Sequence, residues 1–144
     1  MPNIQGSGFV IDVPEECVDA SVYTFAFPEK GGYAANLMVR FEAVVGAFDL
    51  QKYVEEQLDG LQQKVGEFKL VSQAAGKRGA FDGVMSIYEW GKEPARIRQK
   101  QVVLFVPGEQ PRKYILTTTD LASQSANSDP LFDQMLRSFE INVA

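Results

Sequence analysis

Side chains that commonly perform catalysis are sparse in this chain of 144 residues, and histidine is absent altogether. Without histidine there is no Ser-His-Asp or Cys-His arrangement and no imidazole ligand for a metal. Cys17 is the single cysteine, and the two acidic residues directly before it disfavour a reactive thiolate. We therefore predict a protein that is not an enzyme and that needs no metal or other cofactor.

Three carboxylates, Glu55, Glu56 and Asp59, lie close together in a segment with helical periodicity. A metal site or an acid/base pair is one interpretation of this cluster. No other type of ligand and no calcium-loop spacing accompanies the three side chains, so a solvated helix face is the favoured interpretation.

A basic row, Arg96, Arg98 and Lys100, alternates with Gln99 and Gln101 along a predicted strand, so the two sets face opposite sides of the sheet. The basic row could bind an anion, but on an acidic domain a solvated or edge-protecting row is favoured. The two glutamines could hydrogen-bond the backbone of a docked peptide, or they could simply be exposed to solvent. The sequence leaves both interpretations of the glutamines open.

Charge and composition exclude several classes of partner. The net charge of -5 and the sequence pI of about 4.8 disfavour nucleic acid and anionic membrane surfaces. No apolar run reaches the 18 or so residues of a membrane span, and the N-terminal MPNIQGSGF has no signal-peptide pattern. We expect one domain over residues 1–144, located in the cytoplasm, where a lone cysteine is unremarkable.

Two helices are predicted. The first begins after Asp49, a good N-cap, and ends near Gly66. Its apolar stripe consists of Leu50, Tyr53, Val54, Leu58, Leu61 and Val65. The second is a short C-terminal helix with Asp129 as N-cap and Pro130 at the first helical position. Its apolar face consists of Phe132, Met135, Leu136 and Phe139.

About seven short strands joined by turns fill the rest of the chain, which predicts an α+β fold with a mainly antiparallel sheet of six or seven strands. The stretches SVYTFAFPE and NLMVRFEAVV form a predicted hairpin. In the first of these, neither face of the strand carries a charge. Because two helices cannot cover both faces of such a sheet, we expect an apolar surface that is left for a second subunit, a ligand or a client protein.

The succession of FVIDVPE, NLMVRFE, the helix LQKYVEEQLDGLQQKVGEFKL, IRQKQ, KYILTTTDL and PLFDQMLRSFEI resembles the Eag-type chaperones, or adaptors, of bacterial type VI secretion systems. The resemblance implies a Mog1/PsbP-like fold, a homodimer and no enzymatic activity. It also implies a task. Such proteins bind the N-terminal transmembrane helices of a secreted effector that contains a PAAR domain, keep them soluble, and aid loading onto the VgrG spike.

The resemblance and the alternation of side chains together suggest contact residues for a client. They are Val22, Thr24, Leu37, Val39 and Phe41, with Gln99 and Gln101 as polar contacts. Which parity of each strand faces the client depends on a register that the sequence does not fix. The alternative is a regulatory binding module of the same architecture that docks on a folded soluble partner; an enzyme or a small-ligand carrier is the least favoured interpretation.

Overall fold

The computed structural model describes residues 3–6, 8–18 and 20–142, with residues 3–6 described by their backbone alone. Two helices and eight strands lie in these ranges. They are β1 Asn3–Gly6, β2 Phe9–Asp12, β3 Val22–Ala26, β4 Asn36–Ala43, α1 Leu50–Lys64, β5 Lys69–Arg78, β6 Phe81–Trp90, β7 Ile97–Val106, β8 Arg112–Leu121 and α2 Ser125–Ser138.

Six of the strands form one antiparallel sheet in the order β3-β4-β8-β7-β6-β5. Strands β5 to β8 follow one another as a meander, and β4 closes the sheet by pairing with β8, from Asn36 opposite Thr119 to Ala43 opposite Arg112. Strands β1 and β2 pair with each other as a separate hairpin and, within the described ranges, with no strand of the larger sheet. The predicted α+β class, the β3–β4 hairpin and the antiparallel meander are confirmed.

Helix α1 begins and ends close to its predicted bounds. The backbone N–H of Lys52 donates to Asp49 Oδ1 over 3.1 Å, which is the bond expected of an aspartate N-cap. Val54 and Leu58 are the buried residues of the helix, and they pack on the side of the sheet that carries Val103. We call this side of the sheet the α1 face.

Helix α2 begins at Ser125, so the prediction of a short helix capped by Asp129 is wrong at its N-terminus. Side-chain hydrogen bonds fix the extra turn. Ser125 Oγ donates to the carbonyl of Ala122 over 3.1 Å, and Ser128 Oγ donates to the buried carboxylate of Asp120 over 2.7 Å. Pro130 consequently lies inside the helix, where its ring leaves one backbone carbonyl of the first turn without an N–H partner.

The two helices pack on opposite faces of the sheet. Leu104 and Leu116 point to the side that α2 covers, the α2 face, where they contact Phe132 and Leu136 of the helix. Helix α1 packs against β6 and β7, and α2 packs against β8. Both helices therefore cover the middle of the sheet, and every residue of the edge strand β3 stays exposed.

Candidate binding surface

The most apolar exposed part of the sheet is its β3 edge. Val22, Tyr23 and Phe25 of β3 are 48%, 57% and 53% exposed, and Met38 of the neighbouring strand is 38% exposed. These four side chains and that of Thr24 are called the β3–β4 surface. Exposed apolar area concentrated in this way is typical of a site of interaction.

Both sides of β3 contribute to the β3–β4 surface, because its side chains alternate. Thr24 pairs with Met38, whose side of the sheet is the α1 face, and Val22 lies on the same side. Tyr23 and Phe25 project from the opposite side, the α2 face. Strand β3, Val22–Ala26, is thus covered by neither helix.

The predicted contact residues divide between the two faces of the sheet. Val22 and Thr24 lie on the α1 face, whereas Leu37, Val39 and Phe41 lie on the α2 face. Leu37 is only 4% exposed and belongs to the core beneath α2, so its side chain lines no open surface. The five predicted contact residues therefore do not share one face of the sheet.

Val39 and Phe41 are half-buried. Val39 packs against the core beneath α2, and the ring of Phe41 lies 5.9 Å from that of Tyr114 between centroids. Val39 lies opposite Tyr23 in the register, so it forms the inner margin of the β3–β4 surface on the α2 face.

A row of polar side chains crosses the α1 face toward Thr24. The strand register aligns Gln73, Ser86, Gln101, Thr117, Met38 and Thr24 across all six strands. In this row Gln73 Nε2 donates to Ser86 Oγ over 3.1 Å. The amide oxygen of Gln101 is buried and accepts no hydrogen bond from the part of the chain that the structure describes.

Gln99 lies one row further along β7, and its side chain is fully engaged. Its amide nitrogen donates to Thr119 Oγ1 over 3.0 Å, and its amide oxygen accepts from Trp90 Nε1 over 3.3 Å. The two predicted polar contacts therefore differ. Gln99 connects three strands by hydrogen bonds, whereas Gln101 retains an unused acceptor in the row that ends at Met38 and Thr24.

The sequence interpretation passed over Tyr23, Phe25 and Met38 as contact residues. The alternating aromatic side chains of SVYTFAFPE were a usable signal. That signal was ambiguous, because Phe27 of the same stretch packs on Phe132 of α2, with ring centroids 5.4 Å apart. Only the position of β3 at the edge of the sheet separates its exposed aromatics from the packed one.

The basic row forms ion pairs within the protein. Lys100 Nζ lies 2.6 Å from Asp133 Oδ1 of α2, and Arg98 and Arg96 lie 2.7 and 3.1 Å from the two carboxylate oxygens of Glu89. Burial raises the pKa of Glu89, but hydrogen bonds from Arg98 and Arg96 outweigh it, so the pKa lies below its usual range. Because β7 is an interior strand, the prediction of a solvated or edge-protecting row is wrong.

The acidic cluster of α1 is solvated, as predicted: Glu55, Glu56 and Asp59 are all exposed. Across residues 3–6, 8–18 and 20–142, no group of three or more cysteine, aspartate or glutamate side chains is placed to hold a metal ion. Neither of the two described helices combines the length and the hydropathy that crossing a membrane requires.

Comparison with known proteins gives one family. The model of the DcrB family matches residues 10–138, which is most of the chain. No curated protein sequence matches.

Solved structures share the fold at low sequence identity. Protein PA94 of Pseudomonas aeruginosa, a candidate regulator of unknown function, has a TM-score of 0.79 at 20% identity, over 100% of this chain and 99% of that one. The cyanobacterial PsbP of Synechocystis has a TM-score of 0.53 at 10% identity, over 91% and 98%. The Ran-binding protein Mog1p of Saccharomyces cerevisiae has a TM-score of 0.53 at 8% identity, over 81% and 69%. The fold is therefore Mog1/PsbP-like.

Proposed function

Because the chain belongs to the DcrB family and has a Mog1/PsbP-like fold, we propose that it is a binding protein without enzymatic activity, and more narrowly a chaperone. Its client is the N-terminal transmembrane region of a type VI secretion effector with a PAAR domain. The protein shelters that region in the cytoplasm and delivers the effector to the VgrG spike. The resemblance in sequence to Eag-type adaptors supports this narrower role.

The observation that carries the proposal is the β3–β4 surface, where Val22, Tyr23, Phe25 and Met38 are all more than one third exposed. A transmembrane segment of about 20 apolar residues aggregates in water. Burying apolar area contributes roughly 25 cal/mol per Å², so contact between the two surfaces stabilises both without any chemical step.

Gln101 offers a hydrogen-bond acceptor in the row that leads to this surface. Its buried amide oxygen has no donor among the described residues, and it lies in the row that ends at Met38 and Thr24. A hydroxyl or backbone N–H of a client helix end can supply the missing donor after a small side-chain shift. Thr24 and Gln101 would then orient the part of a client that Val22 and Met38 hold on the same α1 face.

The test compares a double variant, Tyr23→Ser with Phe25→Ser, with the wild type when each is co-expressed with the effector's N-terminal region. We expect at least tenfold less co-purified client, which corresponds to about 1.4 kcal/mol, and little change in melting temperature. Val45→Ser is the matched control, because Val45 is 92% exposed and lies outside this surface. Equal recovery of client by the double variant and the wild type would overturn the proposal.

A second candidate function is a regulatory module that docks on a folded soluble partner. The fold shared with the Ran-binding protein Mog1p favours it. Such docking uses a charged rim and weakens with added salt, whereas sheltering an apolar helix does not. Mass spectrometry of proteins captured in the native host separates the two: the chaperone role requires an effector with a transmembrane region, and the regulatory role a soluble folded protein.

We also propose that two copies form a homodimer, as the resemblance implies. Phe9, Val10 and Ile11 of the β1–β2 hairpin are 59%, 59% and 51% exposed. A two-stranded hairpin is marginal in water by itself, so a second copy that covers these side chains would stabilise it. This leaves the β3–β4 surface of each copy free for the client.

A further inference from the structure

A second open site lies at the opposite edge of the sheet, between α2 and strands β5 and β6. It is a cavity of about 350 Å³ on the α2 face, and this volume lies in the range of ligand pockets. Its floor includes Gly76 and Gly83, and its inner wall includes Leu104 and Leu136. The cavity lies between α2, which packs mainly against β8, and the strands β5 and β6 at this edge of the sheet.

The two floor glycines differ in what surrounds them. A Cβ on Gly83 would lie 2.7 Å from Cδ2 of Leu104, so this position is already filled by its neighbour. A Cβ on Gly76 would meet nothing within 4 Å. The open volume is thus above β5, the edge strand, where Gly76 is the natural place for an incoming side chain.

Cations dominate the mouth of the cavity. The charged residues that line it are Lys77, Arg78, Arg137 and Asp133. The side chain of Lys77 lies on the α1 face, where its Nζ is 3.4 Å from Asp82 Oδ1. Asp133 is paired with Lys100, so the two arginines carry the positive charge of the mouth. Arg78 donates two hydrogen bonds to the carbonyl of Phe139, over 3.1 and 3.0 Å. Neither Arg78 nor Arg137 has a carboxylate within salt-bridge distance in the described part of the chain. On a protein with a net charge of -5, this mouth complements an anion.

Strand β5 also offers an unpaired backbone. It is the last strand of the sheet, so one of its edges has no neighbouring strand among the described residues. Lysines at 69 and 77 and a register irregularity between Leu70 and Ser72 protect its ends against pairing. Residues 73–76, Gln-Ala-Ala-Gly, carry neither charge nor proline, so the middle of this edge can accept another strand.

We propose that the β5 edge and the adjoining cavity bind an extended acidic peptide of another protein, which adds to the sheet as a seventh strand. Gly76 and Arg78 lie two positions apart and share the α2 face. A partner strand would therefore place an apolar side chain over Gly76 and, two positions away, a carboxylate beside Arg78 and Arg137. This site is separate from the β3–β4 surface and does not depend on the chaperone role.

Two other occupants fit less well. A second copy of this chain pairing through β5 would bring a further Arg78 and Arg137 to the mouth instead of neutralising it. A fatty acid would satisfy the cavity and the cations but would leave the backbone edge of β5 unpaired. An acidic peptide satisfies all three features by the recognised mode of strand addition.

The probe is a fluorescein-labelled synthetic peptide with threonine at every second position. The positions between the threonines are aspartate, leucine, leucine and aspartate, in that order. This order is the same in both directions, so a parallel and an antiparallel strand present the same side chains to the site. Fluorescence anisotropy measures its binding to the full chain. We expect Gly76→Leu, which fills the cavity, and Arg137→Glu, which reverses an exposed charge, each to weaken binding at least tenfold. Lys52→Glu is the matched charge reversal, on exposed α1, and should bind as the wild type does.

Circular dichroism and melting of each variant establish that it is folded, and Arg137→Glu keeps the test valid if Gly76→Leu unfolds. The variant Tyr23→Ser with Phe25→Ser should bind the peptide normally, which separates this site from the proposed client surface. The proposal is overturned if replacing both aspartates of the peptide by lysine leaves the affinity unchanged. Two other outcomes also overturn it. If the peptide does not bind but dodecanoate does, and Gly76→Leu abolishes dodecanoate binding, the occupant is a fatty acid. If the peptide does not bind and Arg137→Glu dissociates a dimer, the occupant is a second copy of the chain.

Discussion

Gln99 and Gln101 lie on the same face of β7, yet their side chains differ in hydrogen bonding. Gln99 accepts from Trp90 and donates to Thr119, whereas the amide oxygen of Gln101 is buried with no described donor. Removing a paired polar group leaves its partners unsatisfied, while removing an unpaired one relieves a cost. The two positions should therefore respond to the same substitution with different changes in stability.

We predict that Gln99→Leu lowers the free energy of unfolding by about 1–3 kcal/mol, because it leaves the Trp90 and Thr119 groups without their partner. Gln101→Leu should change it by less than about 0.5 kcal/mol or raise it. Urea denaturation at pH 7 measures both. A larger loss for Gln101→Leu than for Gln99→Leu would contradict this assignment.

Glu89 gives the protein a component of stability that depends on pH. Burial raises its pKa, but hydrogen bonds from Arg98 and Arg96 lower it further than burial raises it, so the folded pKa lies below the ordinary value. The unfolded chain then binds this proton at a higher pH than the folded one does. The stabilisation is present above the unfolded pKa of about 4.3 and is lost as pH falls through the folded pKa.

We predict that Glu89→Gln lowers stability at pH 7 and that the difference from the wild type shrinks as pH falls from about 5 to 3. Urea midpoints across this range measure the difference. Glu56→Gln is the control, because Glu56 is exposed on α1 and forms no ion pair with any residue that the structure describes. A difference that is constant with pH would mean that the arginines do not depress the pKa of Glu89.

In strand β4, adjacent residues differ in burial because they face opposite sides of the sheet. Val39 packs into the core beneath α2, and Met38, on the opposite face, is 38% exposed. In NLMVRFE the alternation of side chains was evident, but the face that α2 would cover was not. Val39 therefore belongs partly to the core, and its replacement by a polar residue should weaken the fold.

We predict that Val39→Gln lowers the free energy of unfolding by about 1–3 kcal/mol, because its amide is partly desolvated without an assured partner. Met38→Gln, the matched change on the same strand, should stay within about 0.5 kcal/mol of the wild type. Thermal melting of the two variants decides this. Equal losses would mean that both faces of β4 are equally packed.

How far the sequence predicts such elements depends on whether local residues determine them. Asp49 and the apolar stripe after it define α1 locally, and the prediction was correct. The start of α2 depends on Ser128 reaching Asp120 of β8, a contact between elements that periodicity does not contain. Likewise the sequence predicts a solvated Lys100, because its ion pair with Asp133 depends on where α2 packs. Local patterns fix the elements, whereas the packing of helices on the sheet fixes the surfaces.

At the scale of the whole molecule, the β3–β4 surface and the β1–β2 hairpin are two of the places where large apolar side chains are exposed. Assigning the first to a client and the second to a second copy gives each a physical role. Phe9 is the most accessible large aromatic of the hairpin, at 59% exposure. A charge at this position would oppose burial against another copy.

We predict that light scattering at micromolar concentration gives a mass of twice 16.0 kDa, and that Phe9→Asp shifts it toward the mass of one chain. Glu29→Lys, a change at an exposed position beyond β3, should leave the mass unchanged. A wild-type mass near that of one chain would remove the proposed dimer without affecting the client surface.

The pairing of β4 with β8 also means that β4 is synthesised well before the strand it pairs with. Strand β4 ends at Ala43, and its partner β8 begins only at Arg112. At roughly 5–20 residues per second, the ribosome completes β8 several seconds after β4. During that interval the nascent β3–β4 hairpin has neither its sheet partner nor α2 to cover Leu37. A protein that we propose to shelter apolar segments therefore passes through a stage of synthesis in which its own apolar segments require shelter.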